Sequence, residues 1–512
     1  MFNKTIREFI CTEDVPVVQT DKGKIRGYII DGTYTFRGIR YAQAKRFQMP
    51  EPVDAWEGIK DAHDYGYICP EPGRPEPDQD FLLPRRHWPD SEHCQYLNIW
   101  SQHLDAASRR PVMVWLHGGG FSAGSSLDLF AYEGEELSRT GDVVVVTLNH
   151  RVNLLGFMDL SAYDEKYAAS GNVGMADIVA ALLWIRENIA AFGGDPDNVT
   201  IFGQSGGGGK VTTLLQMPSA DGLYHKAIVQ SGVMSGMGMQ TTKAQAMEKT
   251  ERIIARLGLT GDTIDAIETM PYRSIADAAN AVALELTGVP VSFDWSPVPG
   301  CACAYAGDPM AVGFRQETAH IPMIVGSNLK EFVPGPVGNK ATWTDAQRLE
   351  AVAERAGDKA GAIGALFKTA YPEMDMSYAQ AVDAHFRSAT AAYVSKRAEA
   401  CMAPVYNYVF TFESTFKGGM LIGHSCEIPF VFHNAGFTET CCKPGVTERL
   451  QTEVSQAWIH FAYSGNPNHW LLPLWKPYTL TEGCCMALGD VSVLKYGDFD
   501  KELIQALNAI DE

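Results

Sequence analysis

Two serines of the chain, Ser122 and Ser205, lie in the pattern Gly-x-Ser-x-Gly, which can present a serine as a nucleophile. The pattern works when a strand ends in a tight turn that exposes the serine Oγ ahead of a helix. Residues 199–202 form a β-branched apolar run directly before the second motif, and residues 211–215 can continue as a helix. This context favours Ser205 as the nucleophile.

The first motif has a different context, because Ser122 follows the run HGGGF at residues 117–121. A glycine run of this kind lets bare backbone N–H groups approach a substrate and stabilise a developing oxyanion. We therefore interpret Ser122 as part of an oxyanion loop and not as the nucleophile. The two motifs then supply complementary parts of one site.

A serine hydroxyl needs a general base, and the base needs an orienting acid. Seven histidines follow Ser205, and residue type alone does not choose among them; they are His225, His320, His385, His424, His433, His460 and His469.

The elements that must position these groups have the pattern of an α/β protein. Short apolar runs at 112–116, 143–148, 199–202 and 227–230 are predicted as buried strands, and helical stretches lie between them. Such alternation predicts a large, mostly parallel twisted sheet flanked by helices. The alanine-rich stretches 241–281 and 342–403 are predicted as helical insertions, and the region 15–60 as antiparallel strands.

Composition narrows the possible partners. The 512 residues include 42 Lys+Arg and 61 Asp+Glu, a formal net charge of −19, which argues against nucleic acid and anionic membranes. No apolar run is expected to span a membrane, and the amino terminus lacks the pattern of a secretory signal, so a cytoplasmic location is predicted. The eleven cysteines show no zinc-binding spacing, so no metal site is expected.

Several ordered stretches resemble the type-B carboxylesterase and cholinesterase-like branch of the α/β-hydrolases. They are EHCQYLNI at 92–99, HGGGF at 117–121, NHR at 149–151 with GF at 156–157, the block from 171 to 205, QSG at 230–232 and FAYSGNP at 461–467. The resemblance implies one elaborated α/β-hydrolase domain over 1–512. Within it, 1–110 are N-terminal strands and loop, 111–232 the core, 233–320 and 335–405 helical insertions lining the pocket, and 406–512 the C-terminal part.

The resemblance also selects the remaining catalytic residues, which are expected in the chain order serine, then acid, then histidine. The stretch GHSCEIPF at 423–430 resembles the family's sequence around its catalytic histidine and implies His424 as the base. The stretch IVGSNLKE at 324–331 implies Glu331 as the acid, with Asp294 as the alternative. Ser205 would form an acyl-enzyme that water hydrolyses, with no metal or organic cofactor.

Further roles follow from the same resemblance. The N–H groups of Gly119, Gly120 and Gly206 would form the oxyanion hole, and Phe121, Gln204 and Ser231 are candidate substrate-binding residues. The elbow departs from the family's usual GESAG, because it reads GQSGG at 203–207, and Phe332 stands where a glycine usually follows the acid. Gln204 removes a carboxylate beside the nucleophile, which argues against choline esters. Gly206 is expected to add flexibility to the elbow.

The function expected is hydrolysis of small to medium uncharged carboxylic esters, with a small-molecule ester and water as the reactants. Two alternatives remain open at this point. One is hydrolysis of a related acyl bond in a lactone, carbonate, amide or thioester. The other is a non-catalytic cholinesterase-like binding module, which the presence of Ser205, Glu331 and His424 disfavours. The sequence leaves the oligomeric state open between monomer and homodimer.

Overall fold

The fold is built around a twelve-stranded sheet. The structure, a computed structural model, describes residues 7–71, 82–233, 235, 240–288, 295–302 and 305–511. The strands in this part of the chain are β1 (Phe9–Ile10), β2 (Val17–Gln19), β3 (Lys24–Arg26), β4 (Tyr28–Ile30), β5 (Thr33–Arg40), β6 (Ile59–Asp61), β7 (Tyr96–Ser101), β8 (Arg110–Leu116), β9 (Val144–Leu148), β10 (Gly194–Gln204), β11 (Lys226–Gln230), β12 (Met323–Asn328), β13 (Val405–Phe410), β14 (Glu413–Ser414), β15 (Met420–Leu421), β16 (Cys485–Leu488) and β17 (Val493–Lys495).

The helices of the described residues surround this sheet. They are α1 (Glu135–Gly141), α2 (Asn153–Phe157), α3 (Val173–Asn188), α4 (Gly206–Leu214), α5 (Lys243–Arg256), α6 (Tyr272–Thr287), α7 (Pro309–Val312), α8 (Asp345–Ala356), α9 (Ala360–Ala370), α10 (Ala384–Glu399), α11 (Ile428–Val431), α12 (Thr447–Ser464) and α13 (Lys501–Asp511). The predicted helical insertions are thereby confirmed as α5 and α6 in the first region and α8 to α10 in the second.

The strand order is β1-β4-β5-β7-β9-β8-β10-β11-β12-β13-β16-β17. Pairing is parallel from β9 through β16 and antiparallel towards both edges. The four strands predicted from apolar runs are β8, β9, β10 and β11, so the mostly parallel sheet is confirmed. The proposed division of the chain into parts of one domain stays a prediction.

Both faces of the central sheet are covered. Val112 and Val114 of β8 pack in the apolar cluster that includes α3, whereas Met113 and Trp115 pack in the cluster that includes α12. Because successive side chains of a strand point to opposite faces, a strand covered on both sides is apolar throughout. This explains the continuous apolar run of β8.

One stretch contradicts the expectation that no segment is apolar and long enough for a membrane span. Glu165–Phe192 is 28 residues long and contains an 18-residue window with a mean hydropathy of 1.5, so it passes that test by length and composition. It contains α3, and 83% of its apolar window is buried inside the protein. The stretch is buried to the extent expected of a helix that packs against the central sheet.

Candidate active site

The turn between β10 and α4 presents Ser205. Ser205 has φ 55° and ψ −127°, a positive φ that non-glycine residues rarely adopt. Its N–H donates to the carbonyl of Gln230 at 2.8 Å, and its carbonyl accepts the N–H of Gly209 at 3.0 Å. These bonds hold the strained turn between two elements, and Ser205 remains partly exposed at its tip.

Glycine is required where α4 approaches the end of β8. A Cβ on Gly207 would lie 1.9 Å from the carbonyl oxygen of Leu116. A Cβ on Gly206 would lie 2.1 Å from the carbonyl oxygen of Gly120 and 2.4 Å from its nitrogen. The expectation of a merely more flexible elbow therefore misses the main effect, because the bare Gly206 lets the glycine loop lie directly against the elbow.

The glycine loop supplies N–H groups beside Ser205. Gly119 and Gly120 have φ values of 88° and 62°. A Cβ on Gly118 would lie 3.5 Å from the Cβ of Ser205, which places the loop next to the serine. Among the hydrogen bonds of the described residues, none uses the N–H of Gly119, Gly120 or Gly206. These three donors are the ones predicted for an oxyanion hole.

An acid–base pair lies across from the elbow. His424 Nδ1 donates to Glu331 Oε2 at 2.6 Å, and the Glu331 side chain has no exposed surface. Glu331 Oε1 accepts from Ser231 Oγ at 2.6 Å and from the N–H of Asn328 at 2.8 Å. The three accepted hydrogen bonds fix the carboxylate, which in turn orients the imidazole.

Gln204 contacts the other side of the same imidazole. Its Nε2 donates to His424 Nε2 at 3.2 Å, and its Oε1 accepts from Ser425 Oγ at 2.9 Å. This arrangement leaves Nε2 of His424 unprotonated, as a general base requires. No hydrogen bond joins Ser205 to His424 among the described residues, so proton transfer requires Nε2 to exchange Gln204 for Ser205 Oγ.

A second buried glutamate, Glu427, lies behind the pair. Its carboxylate accepts from Asn328 Nδ2 at 2.9 Å and from Gln230 Nε2 at 3.2 Å. Burial, and next the charge of Glu331, raise the pKa of Glu427 above its usual value. The two carboxyl groups share Asn328 as a neighbour but differ in environment, since only Glu331 contacts the imidazole.

Two aromatic rings flank the imidazole. The ring of Phe332 lies 4.3 Å from the ring of His424, and that of Phe386 lies 5.4 Å from it, between centroids. Phe332 is 68% exposed, whereas Phe386 is buried. The residue that replaces the family's usual glycine thus forms an open apolar surface against the predicted base.

The predicted substrate-binding residues have different environments. Phe121 lines a cavity of about 330 Å³ that also borders Thr212, Val233 and Tyr393. Gln204 and Ser231 are instead buried and bonded to His424 and Glu331, respectively. They therefore contact the acid–base pair.

Other predicted candidates lie elsewhere. Ser122 is buried, and its Oγ has no hydrogen-bond partner among the described residues. Asp294, the alternative acid, lies outside the described residues. Within the described ranges, no group of three His, Cys, Asp or Glu side chains is arranged to hold a metal ion.

Local sequence patterns did not reveal Lys210, Ser425, Asn328 or Glu427 as members of the site. Lys210 is fully buried below the elbow, although a lysine in a glycine-rich helix usually indicates an exposed position. Asn328 and Glu427 each lie close in sequence to a predicted residue, at the end of β12 and three positions after His424. This proximity was the available signal for them.

The chain is similar to known esterases over nearly its whole length. Residues 14–501 match the model of the carboxylesterase family. Para-nitrobenzyl esterase from Bacillus subtilis (strain 168) is 34% identical over 478 residues, covering 88% of this chain and 90% of that protein. Phenmedipham hydrolase from Pseudarthrobacter oxydans is 32% identical over 498 residues, covering 93% and 95% of the two chains. The solved structure of an esterase from anaerobic Clostridium hathewayi, described as able to hydrolyse aliphatic aromatic polyesters, has 41% identity and a TM-score of 0.93, covering 98% of this chain and all of that one.

Proposed function

The chain belongs to the carboxylesterase family and is a serine carboxylesterase of the α/β-hydrolase fold, and we propose that Ser205, His424 and Glu331 are its catalytic triad. The observation that carries this proposal is the 2.6 Å hydrogen bond between His424 Nδ1 and Glu331 Oε2 at the sheet edge where the strained Ser205 turn lies. Ligand sites of open α/β sheets lie at the carboxyl ends of the strands, where these residues meet.

The proposed reaction has two acyl-transfer steps. His424 Nε2 takes the Oγ proton of Ser205 as Oγ bonds to the ester carbonyl carbon, while Glu331 stabilises the imidazolium. When the tetrahedral intermediate collapses, the carbon–oxygen bond to the alcohol breaks and His424 gives its proton to the alcohol. Water then attacks the acyl-enzyme with the same proton transfers, releasing the carboxylic acid and Ser205.

The oxyanion of each intermediate would be stabilised by Gly119, Gly120 and Gly206. Gly206 follows Ser205 directly, the glycine loop lies against Gly206, and none of the three N–H groups is used in the hydrogen bonds of the described residues. Loss of one such donor typically costs about 3–4 kcal/mol of transition-state stabilisation. This magnitude makes the close fit of Gly206 against Gly120 a requirement of the mechanism.

We propose uncharged esters with an apolar or aromatic alcohol group as the substrate class. Gln204 places an amide next to the nucleophile, so no carboxylate there attracts a cationic alcohol. The exposed Phe332 adjoins the imidazole that protonates the leaving alcohol, and an aromatic leaving group gains by packing on it. The cavity beside Phe121 begins one helical turn beyond Ser205 and offers apolar walls to the acyl group.

Hydrolysis of aliphatic aromatic polyesters is a second candidate activity. The similarity to the Clostridium hathewayi esterase and the solvent-facing ring of Phe332 favour it. Incubation with a powdered polyester of this kind, followed by chromatography of released aromatic acid, tests it. Release by wild type and not by Ser205→Ala supports the activity, and equal release by both excludes it.

A panel of chromogenic esters tests the proposed function. The panel varies acyl length, compares aryl with alkyl alcohols, and includes a cationic choline-type ester. We expect Ser205→Ala to abolish turnover, whereas Ser122→Ala, the matched serine of the other glycine motif, retains it. Loss in Ser122→Ala with retention in Ser205→Ala would refute the triad, and preference for the cationic ester would refute the substrate class.

The same panel tests the role assigned to Phe332. Phe332→Ala should lower kcat/KM for aryl-alcohol esters by about fivefold, the value of one aromatic contact of about 1 kcal/mol. Alkyl-alcohol esters should change less. An equal loss for both kinds of alcohol would contradict a role in leaving-group selection.

We also propose a cytoplasmic location for the protein. Among the described residues, Cys69 and Cys94 are buried free thiols, which suits a reducing compartment. Fractionation of the source cells with an antibody to this chain tests the location; recovery outside the cytoplasm would refute it.

A further inference from the structure

Lys210 is a buried cation in the helix that follows the nucleophile. It lies five residues after Ser205, in the second turn of α4, and its side chain has no exposed surface. Its Nζ donates to the carbonyl oxygen of His117 at 2.8 Å. His117 is the first residue of the glycine loop, so this bond joins the elbow helix to that loop.

No acid compensates this charge within the described part of the chain, where Lys210 forms no ion pair. Two imidazoles face the Lys210 ammonium, that of His117 from the loop after β8 and that of His150 from the loop after β9. The ring of Phe121 also faces it, with its centroid 5.8 Å from Nζ. The imidazoles stack at 4.9 Å, and each uses Nδ1 on a neighbouring backbone carbonyl. Burial, together with the charge of Lys210, holds the pKa of both far below the usual value, so they are neutral.

A buried ammonium without a carboxylate partner destabilises the folded chain. An apolar side chain of similar length would fill this space without the desolvation cost. Folding stability therefore does not explain why a lysine occupies this position. Its location below the loop that carries the predicted oxyanion donors indicates where the charge acts.

We propose that protonated Lys210 is a positioning residue for the oxyanion hole, fixing His117 and the glycine loop against α4 and adding positive potential where the oxyanion forms. The inference rests on the proposed function. An ester is neutral and its tetrahedral intermediate is anionic, so a fixed positive charge stabilises the transition state more than the ground state. Because Gln204 stands in place of the family's usual glutamate, no carboxylate at that position offsets the charge.

The activity that depends on Lys210 and the folding stability of the protein should change with pH in opposite directions. Burial lowers the pKa of Lys210 from 10.5 to about 7. The charge, and its contribution to kcat, is therefore present at pH 6 and is lost as the pH rises through about 7. The unfolded chain still binds this proton up to about pH 10, so the unfavourable contribution of Lys210 to folding stability diminishes as the pH rises from about 7 to about 10.

The test compares wild type with Lys210→Met at pH values from 6 to 9, using a neutral chromogenic ester and active sites counted by a fluorophosphonate. We expect kcat per labelled site to be about 10- to 100-fold lower in Lys210→Met at pH 6, where the lost charge matters most. The ratio of the two kcat values should move towards one by pH 9, because neutral Lys210 no longer contributes charge and keeps only its hydrogen bond to His117. Thermal unfolding at pH 6 should show the variant to be at least as stable as wild type.

A constant kcat ratio from pH 6 to 9, or a destabilised variant with unchanged kcat per labelled site, would overturn the proposal. Such a result in normally labelled enzyme leaves the proposed triad intact, whereas absence of labelling in wild type refutes the triad itself. Lys210→Arg is the second variant, and it serves if Lys210→Met does not fold. It keeps its charge at all these pH values, so its kcat relative to wild type should increase with pH, and a flat ratio would contradict the proposal.

Discussion

The substitution Glu331→Gln tests how the buried carboxylate controls the imidazole. Oε1 of Glu331 accepts from Ser231 Oγ and from the fixed backbone N–H of Asn328, while Oε2 accepts from His424 Nδ1. In the glutamine variant the amide oxygen should stay at the position with two donors. Its NH2 group then faces Nδ1, which must accept, so the proton moves to Nε2 and His424 can no longer serve as the base.

The size of the effect follows from the alternatives open to the amide. Turning its oxygen towards His424 places NH2 against the Asn328 N–H, and an unsatisfied buried donor costs about 1–3 kcal/mol. Only a small fraction of molecules would adopt this orientation, and they still lack the charge that stabilises the imidazolium. The wrong tautomer in a serine protease triad costs about 10⁴-fold in kcat, or about 5.5 kcal/mol. We expect a loss of the same order, with KM changed by a few-fold.

The assay is steady-state hydrolysis of an aryl ester at pH 7 with thermal unfolding of the same preparations. Glu331→Asp is the matched control, because it keeps the charge while shortening the side chain, and its loss should be smaller. Ser231→Ala removes one donor to Oε1 but leaves Asn328, so about a tenfold loss is expected. A folded Glu331→Gln variant with more than a tenth of wild-type kcat would show that Glu331 does not control the tautomer of His424.

Three further substitutions test other parts of the structure. Gly207→Ala places a Cβ 1.9 Å from a backbone oxygen of β8 and should prevent soluble folding. The control Gly261→Ala has no atom within 4 Å of the added Cβ and should leave the thermal unfolding midpoint unchanged. Equal effects of the two substitutions would contradict the close packing at Gly207. Gln204→Glu puts a carboxylate against His424, so the acid limb of the pH profile of kcat/KM should move up by about one pH unit. The variant should also hydrolyse choline-type esters with a higher kcat/KM at low salt. An unmoved acid limb would contradict the contact between residue 204 and His424. Asp177→Asn leaves buried Arg151 without its charged partner at 2.7 Å. The free energy of unfolding in denaturant should fall by about 3–5 kcal/mol. A fall below about 1 kcal/mol would contradict the importance of this ion pair.

Much of the scaffold was predictable from local patterns. The β-branched run before Gly203 and the continuous apolar run of β8 indicated strands covered on both faces, and both strands are central in the parallel sheet. Chain order and family resemblance together indicated His424 and Glu331, which the structure brings into direct contact. The glycine-rich helix α4 has poor intrinsic propensity, and it forms because packing against two strands requires close approach.

The contacts that tune the site were not predictable in the same way. Gln204 and His424 are 220 positions apart, and so no local pattern reports that one amide bonds the imidazole. Ser231 was assigned to substrate, but its burial and its bond to Glu331 depend on how β11 and β12 pair. Lys210 is buried only because the glycine loop folds over α4. Such lateral contacts arise from tertiary packing, which sequence periodicity does not encode.

We propose that Ser205 carries the acyl group, and covalent labelling of the serine is the direct test. Wild type, Ser205→Ala and Ser122→Ala are treated with a fluorophosphonate, and intact mass and peptide mapping locate the adduct. We expect one adduct per chain on Ser205, its absence in Ser205→Ala and its retention in Ser122→Ala. An adduct that persists in Ser205→Ala, or that maps to another serine in wild type, would rule out Ser205 as the nucleophile.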